Sequence, residues 1–274
     1  MTDLPVLRRV GPLAGFRAPL ALPALPLAAA LFFVASLAWA QTRSAPVAES
    51  AAAAVLRWAP LIFGGFLFNV LVSVLSMAVG TALGFALGLL LIAPTRLPRG
   101  VGWALTQFFR NAPWLVLLFY AMFLLPFELH LGGLEIPLPS WAKAVLGLSL
   151  PVAANFAEIV RGALQSIPEP QWSAARGLAF GPLQTIRLVI LPQAVRRMLP
   201  PWMNLYAILT MATTLISVVG IQDGLTITRA AIASDARPEL MLPLYLFLLL
   251  LFFVYCYPIA RATLALERRF QVRG

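Results

Sequence analysis

The sequence predicts an all-α integral membrane protein, and three observations predict it. The 274 residues are 61% hydrophobic and only 11% charged, and the mean hydropathy of +0.89 lies outside the range of soluble domains. Apolar runs of about 20 residues recur, the length an α-helix needs to cross a bilayer core about 30 Å thick. The positive charges cluster in alternate short loops between those runs, as topology signals do. A net charge of +10 distributed in this way marks membrane orientation and not a nucleic-acid surface.

Five runs stand out clearly and a sixth completes the set. The first, Ala18 to Ala40, follows Arg8, Arg9 and Arg17 and ends in Ala38-Trp39-Ala40, a small-x-small pattern. Its apolar length exceeds the 7–15 residues or so of a signal-peptide core, so an uncleaved span is expected over removal of residues 1–40. The second run, Pro60 to Ile92, is too long for one perpendicular crossing. Leu61 to Phe68 is expected to lie along the membrane surface before Leu71 to Ile92 crosses. Gly80, Gly84 and Gly88 fall on one face of that helix and mark a site of close helix approach. Spans are also expected at Ala112 to Phe127, Trp141 to Val160, Pro201 to Ile221 and Leu240 to Ala262. The single Cys256 excludes a disulfide framework, and the lone His130 is read as a loop residue.

With alternating loops, fifteen of the twenty Lys and Arg residues fall on one side: the N-terminus, Arg96 to Arg110, Arg161 to Arg197 and the C-terminus. Arg43, Arg57, Lys143, Arg229 and Arg237 fall on the other. The positive-inside rule then places both termini, and the long loop 161–200, in the cytoplasm. Residues 1–59 form a tail, first span and periplasmic loop, and residues 60–274 form the core.

The long loop is the most informative stretch. Ser166 is a candidate N-cap, Pro168 suits a first helical turn, and Glu169 sits favourably at the N-terminal end of the helix dipole. A short helix is expected from Pro168 to about Leu178. Gly177 and Gly181 are expected to make a sharp turn, Pro182 to open a second helix, and Leu191-Pro192 to end or kink it. The expected product is a compact helix–turn–helix on the cytoplasmic face.

In this loop the chain resembles the permease subunits of binding-protein-dependent ABC importers, whose hallmark is an E-A-A element, then Gly, then I-x-L-P. Here the pattern reads Ser173-Ala174-Ala175-Arg176-Gly177 and, further on, Ile186 through Leu191-Pro192-Gln193-Ala194. Arg110-Asn111-Ala112-Pro113-Trp114 and Ala157-Glu158-Ile159-Val160-Arg161-Gly162 look like the polar amino-acid branch of that family. The resemblance covers about Leu61 to Arg269. It implies a five-helix permease core plus one N-terminal helix, about six transmembrane helices in all, in the bacterial inner membrane. It also implies docking of the loop helix on an ATPase subunit through Pro168, Glu169, Ser173, Ala174, Ala175, Gly177, Gly181, Leu191 and Pro192. Further implied partners are a second, non-identical permease and a periplasmic or lipid-anchored substrate-binding protein. Ser173 stands where the family has Glu, Pro170 where it has Gly, and Met211-Ala212 where Lys-Asp is common.

Ionisable and polar groups inside spans are costly and mark cavities or helix contacts. Glu158 is the one acidic residue expected inside a span, with Arg161 at i+3 as an ion-pair partner. Asn69, Asn155, Asn204, Thr213 and Thr214 are the neutral candidates for a substrate pathway. No Gly-x-x-x-x-Gly-Lys-Ser/Thr loop occurs, so ATP and Mg are expected on a partner ATPase and this chain is expected to be a transport subunit rather than an enzyme. The implied solute is a polar amino acid or a related small derivative. A secondary transporter is the competing class, disfavoured because no repeated halves with charged midplane sites are visible.

Overall fold

The computed structural model describes residues 50–131 and 134–270, together with the single position Ala35. The expected first span and its cleavage site, like the orientation of the N-terminus, lie outside the described residues. Four described helices are long and apolar enough to cross a membrane, and one shorter apolar helix accompanies them.

Helix α1, Ala51–Leu91, runs unbroken for 41 residues from an N-cap at Ser50, whose hydroxyl accepts the Ala53 N–H. At about 1.5 Å per residue it is roughly 60 Å long, twice the bilayer core. This corrects the expectation that Leu61 to Phe68 lies apart along the surface. Pro60 sits inside the helix and removes only the bond to the carbonyl of exposed Leu56. The overrunning N-terminal part is instead packed, burying Ala51, Ala54, Val55 and Ile62 against Ala231, Leu240 and Leu244.

Arg96–Asn111, expected as a loop, is helix α2. It turns Gly102 and Thr106 inward and leaves Leu97, Val101, Leu105 and Phe108 exposed on an apolar stripe. The stripe repeats at intervals of four, four and three residues, the spacing of one helix face. Ala112, held extended before Pro113, breaks the helix, and α3, Trp114–Leu124, continues for only 11 residues. A two-stranded antiparallel hairpin follows, β1 (Glu128–Leu131) and β2 (Leu134–Pro137), a departure from the all-α expectation. His130, expected in a loop, falls on β1 opposite Glu135. The hairpin base is pinned by Lys143. This lysine is fully buried, donates to the Leu125 carbonyl at 2.8 Å and lies 3.6 Å above the Phe127 ring.

Helix α4, Ser140–Gln165, is the hub, the most buried of the long helices. The predicted glycine face of α1 packs on it. A Cβ on Gly80 would meet Val152 Cγ1 at 2.5 Å, one on Gly84 the Ala153 carbonyl oxygen at 2.5 Å, and one on Gly88 the Val160 Cβ at 2.6 Å. No side chain larger than hydrogen fits there without moving a backbone, so backbone approach sets the α1–α4 spacing.

After the short helix α5, Glu169–Gly177, the chain enters one continuous helical path. It comprises α6 (Pro182–Gln184), a π segment (Thr185–Ile190), α7 (Leu191–Ala212) and a 3₁₀ segment (Thr213–Val219). The expected compact second helix and the separate span from Pro201 are therefore one element. Pro192 does not end it. Pro192 has no N–H for the Leu188 carbonyl, and the π register next to it, with Leu191 N–H reaching back to the Ile186 carbonyl, absorbs the defect. Gly220, at φ +82°, closes the 3₁₀ segment in a left-handed conformation. Helix α8, Gly224–Asp235, was not anticipated. A 3₁₀ turn at Pro238–Leu240 leads into α9, Met241–Phe270, where Cys256 sits half-buried between its two tyrosines.

Candidate functional site: the loop helix and the intramembrane polar groups

Helix α5 begins with Pro168 at its N-cap, so the expected helix is present with its first residue at Glu169. Ser166 is not its cap. It terminates α4, its hydroxyl donates to the Ala163 carbonyl at 2.7 Å, and its own carbonyl accepts from Arg197 Nη1 at 2.7 Å. The loop is thereby tied to α7 before α5 starts.

The exit turn also differs from expectation. Neither Gly177 nor Gly181 takes a positive φ; the left-handed residue is Ala179, at φ 59°. Phe180 N–H bonds the Ala175 carbonyl at 3.1 Å and Ala179 N–H bonds the Arg176 carbonyl at 2.9 Å. These are the paired bonds of a Schellman motif, and they satisfy the helix-end carbonyls well enough to hold an alanine where glycine is usual. The Gln184 side chain then accepts the Gly181 N–H at 2.9 Å as α6 opens at Pro182. Leu191 and Pro192 lie beyond this turn, on the π-to-α junction.

Two faces of α5 result. Ala175 is 2% exposed and turned inward, and half-buried Trp172 packs with Ile167 against the main core. Ser173, Ala174 and Gly177 are exposed, and a Cβ on Gly177 would meet nothing within 4 Å. Along the exposed side Arg176 bonds Glu169 at 2.5 Å and Ser173 Oγ at 3.2 Å. A hydroxyl at position 173 thus joins an ion pair. The small residues expected to act together therefore divide: Ala175 belongs to the fold, and Ser173, Ala174 and Gly177 remain available.

The six intramembrane candidates separate into two places and a remainder. Asn69 and Thr213, both fully buried, meet at a junction of α1, the 3₁₀ segment and α8. The Asn69 amide donates to Thr213 Oγ1 at 3.2 Å and to Asp223 Oδ2 at 3.1 Å, and its carbonyl oxygen accepts the Gly224 N–H at 3.0 Å. Asp223, which the sequence reading passed over, is fully buried and caps α8, accepting from Thr226 N–H and Thr226 Oγ1 at 2.8 Å each. Its carboxylate is held by neutral donors and by the N-terminus of α8. Gly65, whose Cβ would lie 2.7 Å from Gly224 N, allows that close approach. The Asn69, Thr213 and Asp223 side chains are all fully buried, and their bonds join α1, the 3₁₀ segment and α8. Thr214 belongs to neither place, its hydroxyl donating to the Met211 carbonyl at 3.0 Å.

Asn155, Glu158 and Asn204 line one cavity of about 340 Å³ with Arg110, the only further polar residue in its wall. The expected ion pair is formed: Glu158 Oε2 accepts from Arg161 Nε at 2.8 Å and lies 2.6 Å from its Nη2. Arg110, read from sequence as a topology marker and as part of the Arg110-Asn111-Ala112-Pro113-Trp114 element, ends α2 at the break before Pro113 and lines this cavity. A larger groove, about 920 Å³, runs along α2, α3 and α4, but no charged side chain lines it. Among the described residues, no group of three or more His, Cys, Asp or Glu converges.

The architecture is that of a polytopic α-helical membrane protein with a tethered surface helix between α4 and the next crossing. The family model described as binding-protein-dependent transport system inner membrane component matches residues 80–272, and the chain belongs to that family. It is 32% identical to the inner membrane amino-acid ABC transporter permease protein YhdY of Escherichia coli (strain K12), over 60% of this chain and 44% of the relative. It is 31% identical to the glutamate/glutamine/aspartate/asparagine transport system permease protein BztC of Rhodobacter capsulatus, over 76% of this chain and 47% of the relative. The chain thus spans about half the length of these relatives. The probable glutamine ABC transporter permease protein GlnP of Bacillus subtilis is 28% identical, over 76% of this chain and 93% of the relative. A solved amino acid ABC transporter chain shares the fold, with a TM-score of 0.67 and 23% identity, over 78% of this chain and 96% of that one.

Proposed function

We propose that this chain is the membrane permease subunit of an ATP-driven importer of amino acids, with α5 as the element that couples it to an ATPase subunit. The observation that carries the reading is the outward face of α5. It exposes Ser173, Ala174 and Gly177 while Ala175, Trp172 and Ile167 fasten the helix to the spans. A face of small residues admits a partner groove close to the helix backbone, and the fastening transmits its movement to α4 and α7. Family membership and relatives named as amino-acid, glutamine and acidic amino-acid permeases support the solute class. ATP and Mg belong to the partner ATPase, since this chain has no phosphate-binding loop.

The same reading includes a substrate-binding protein, periplasmic or lipid-anchored, a second and non-identical permease beside this one, and six spans with both termini in the cytoplasm. The fifteen-to-five division of Lys and Arg supports that orientation. Expression with the ATPase from the same operon provides the test: the two proteins are expected to copurify and, with the binding protein, to drive ATP-dependent amino-acid uptake into proteoliposomes. A chain that purifies alone and moves solute without ATP would instead be a secondary carrier.

A further inference from the structure

Helix α2 sorts its residues into three stripes. Gly102 and Thr106 are buried against the protein. Leu97, Val101, Leu105 and Phe108 form the exposed apolar stripe, with Leu97 at 80% exposure. Arg96, Arg99 and Trp103, spaced three and four residues apart, share a third stripe nearly opposite the apolar one, and all three are exposed. The helix is thus held along one edge, and its apolar and basic faces are uncovered among the described residues.

One close contact fixes where α2 lies. A Cβ on Gly102 would meet Leu90 Cβ at 2.8 Å. Gly102 is the seventh residue of α2, and Leu90 is the second from the end of α1. A helix folded back alongside α1 would instead set Gly102 opposite Phe85, the seventh from that end. Helix α2 therefore crosses the end of α1, at the boundary where that span leaves the bilayer. From there its apolar stripe runs into the surface of the spans: Phe108 lines the larger groove with Leu83, Val116 and Tyr120, all of them exposed.

The basic face lacks a counter-charge. Arg96 and Arg99 form no ion pair among the described residues, and no Asp or Glu occurs from Ala51 to Phe127. Both arginines sit at the start of α2, where the helix dipole already adds positive charge and Thr95 supplies no side-chain cap. Tryptophan is favoured at headgroup depth, and an apolar face paired with a basic one is what an interfacial helix presents to acidic lipid.

We infer that α2 is an interfacial helix that selects acidic phospholipid, with its apolar stripe on the acyl chains and Arg96 and Arg99 on the headgroup phosphate. A zwitterionic lipid would cover the stripe but bring no net charge to offset the two guanidiniums. A protein partner would have to offer apolar and acidic surface together at headgroup depth, which an acidic phospholipid provides in one molecule. The inference rests on α1 crossing the membrane and is independent of the solute.

The test uses the chain coexpressed with its ATPase and reconstituted in vesicles of phosphatidylcholine and phosphatidylglycerol in equal parts. A bimane label is carried by Gly100→Cys in a Cys256→Ala background; Gly100 adjoins Arg99, and its Cβ would meet nothing within 4 Å. Quenching is compared with either one lipid or the other brominated. Phosphatidylglycerol is expected to be preferred, and Arg96→Gln and Arg99→Gln each to lower the preference about 5-fold, the worth of one basic residue at an acidic membrane surface. Arg96→Lys and Arg99→Lys should keep most of it, and the melting temperature should be unchanged in all four variants. Equal quenching by the two lipids, or an unchanged preference when both arginines are replaced by Gln, overturns the inference. Absence of quenching by either also overturns it and shows the face covered by protein, a second permease or the ATPase. ATP-driven uptake in the same vesicles is read separately. Uptake without lipid preference leaves the permease reading standing, whereas lipid preference without ATPase capture removes that reading and supports the inference alone.

Discussion

Two faces of small residues in this molecule have opposite fates. On α1, Gly80, Gly84 and Gly88 are buried against α4, with Cβ positions already occupied by Val152, Ala153 and Val160. On α5, Ser173, Ala174 and Gly177 face outward, with open space around Gly177. In both cases removing side-chain bulk lets another backbone come close. In α1 the approaching backbone belongs to the same chain; on α5 none of the described residues comes within 4 Å of a Cβ at Gly177, and the proposed partner is another chain. Small residues alone do not distinguish a seam from a docking face, and the surrounding packing does.

The largest break in this comparison is expected at the seam. Gly84→Val places atoms where the Ala153 carbonyl oxygen lies, and overpacking of this kind costs about 1–3 kcal/mol, with more where backbone must shift. The solubilised protein should show a clearly lowered melting temperature, and an unchanged one would mean that α1 and α4 are not in backbone contact. A comparable but smaller loss is expected at the buried junction. Asp223→Ala leaves the Asn69 amide and the N-terminus of α8 unsatisfied, about 1–3 kcal/mol, while Asp223→Asn retains much of the bonding. Thermal denaturation of the two variants should rank them in that order. The smallest effect is expected on α5, where Glu169 and Arg176 are 71% and 65% exposed. Glu169→Gln should change stability by less than about 1 kcal/mol, so a large destabilisation would show that the outward face supports the fold.

What was legible in the sequence follows the range of the interactions. The glycine seam was visible because a repeat of four keeps nearly one face of a 3.6-residue helix, and α5 because Pro168 and Glu169 are local start signals. Arg161 was found for Glu158 because the pair is one turn apart. The Asn69–Asp223 bond joins residues 154 positions apart, and no local pattern announces it. Helix α2 was legible in principle through Leu97, Val101, Leu105 and Phe108. Its arginines, read as markers of a cytoplasmic loop, concealed the helix and with it the place of Arg110 in the cavity wall. The turn at Ala179 escaped because the sequence offers two glycines nearby and the chain uses neither at positive φ.

The direct test of the coupling role of α5 is a pair of tryptophan substitutions on its two faces. Gly177→Trp enters open space and should leave the melting temperature of the chain unchanged. It should nevertheless abolish copurification of the ATPase and ATP-driven uptake. Ala175→Trp, on the inward face, should lower the melting temperature, so its loss of uptake would report on folding rather than docking. Wild-type ATPase capture and uptake by a normally folded Gly177→Trp protein would contradict the account.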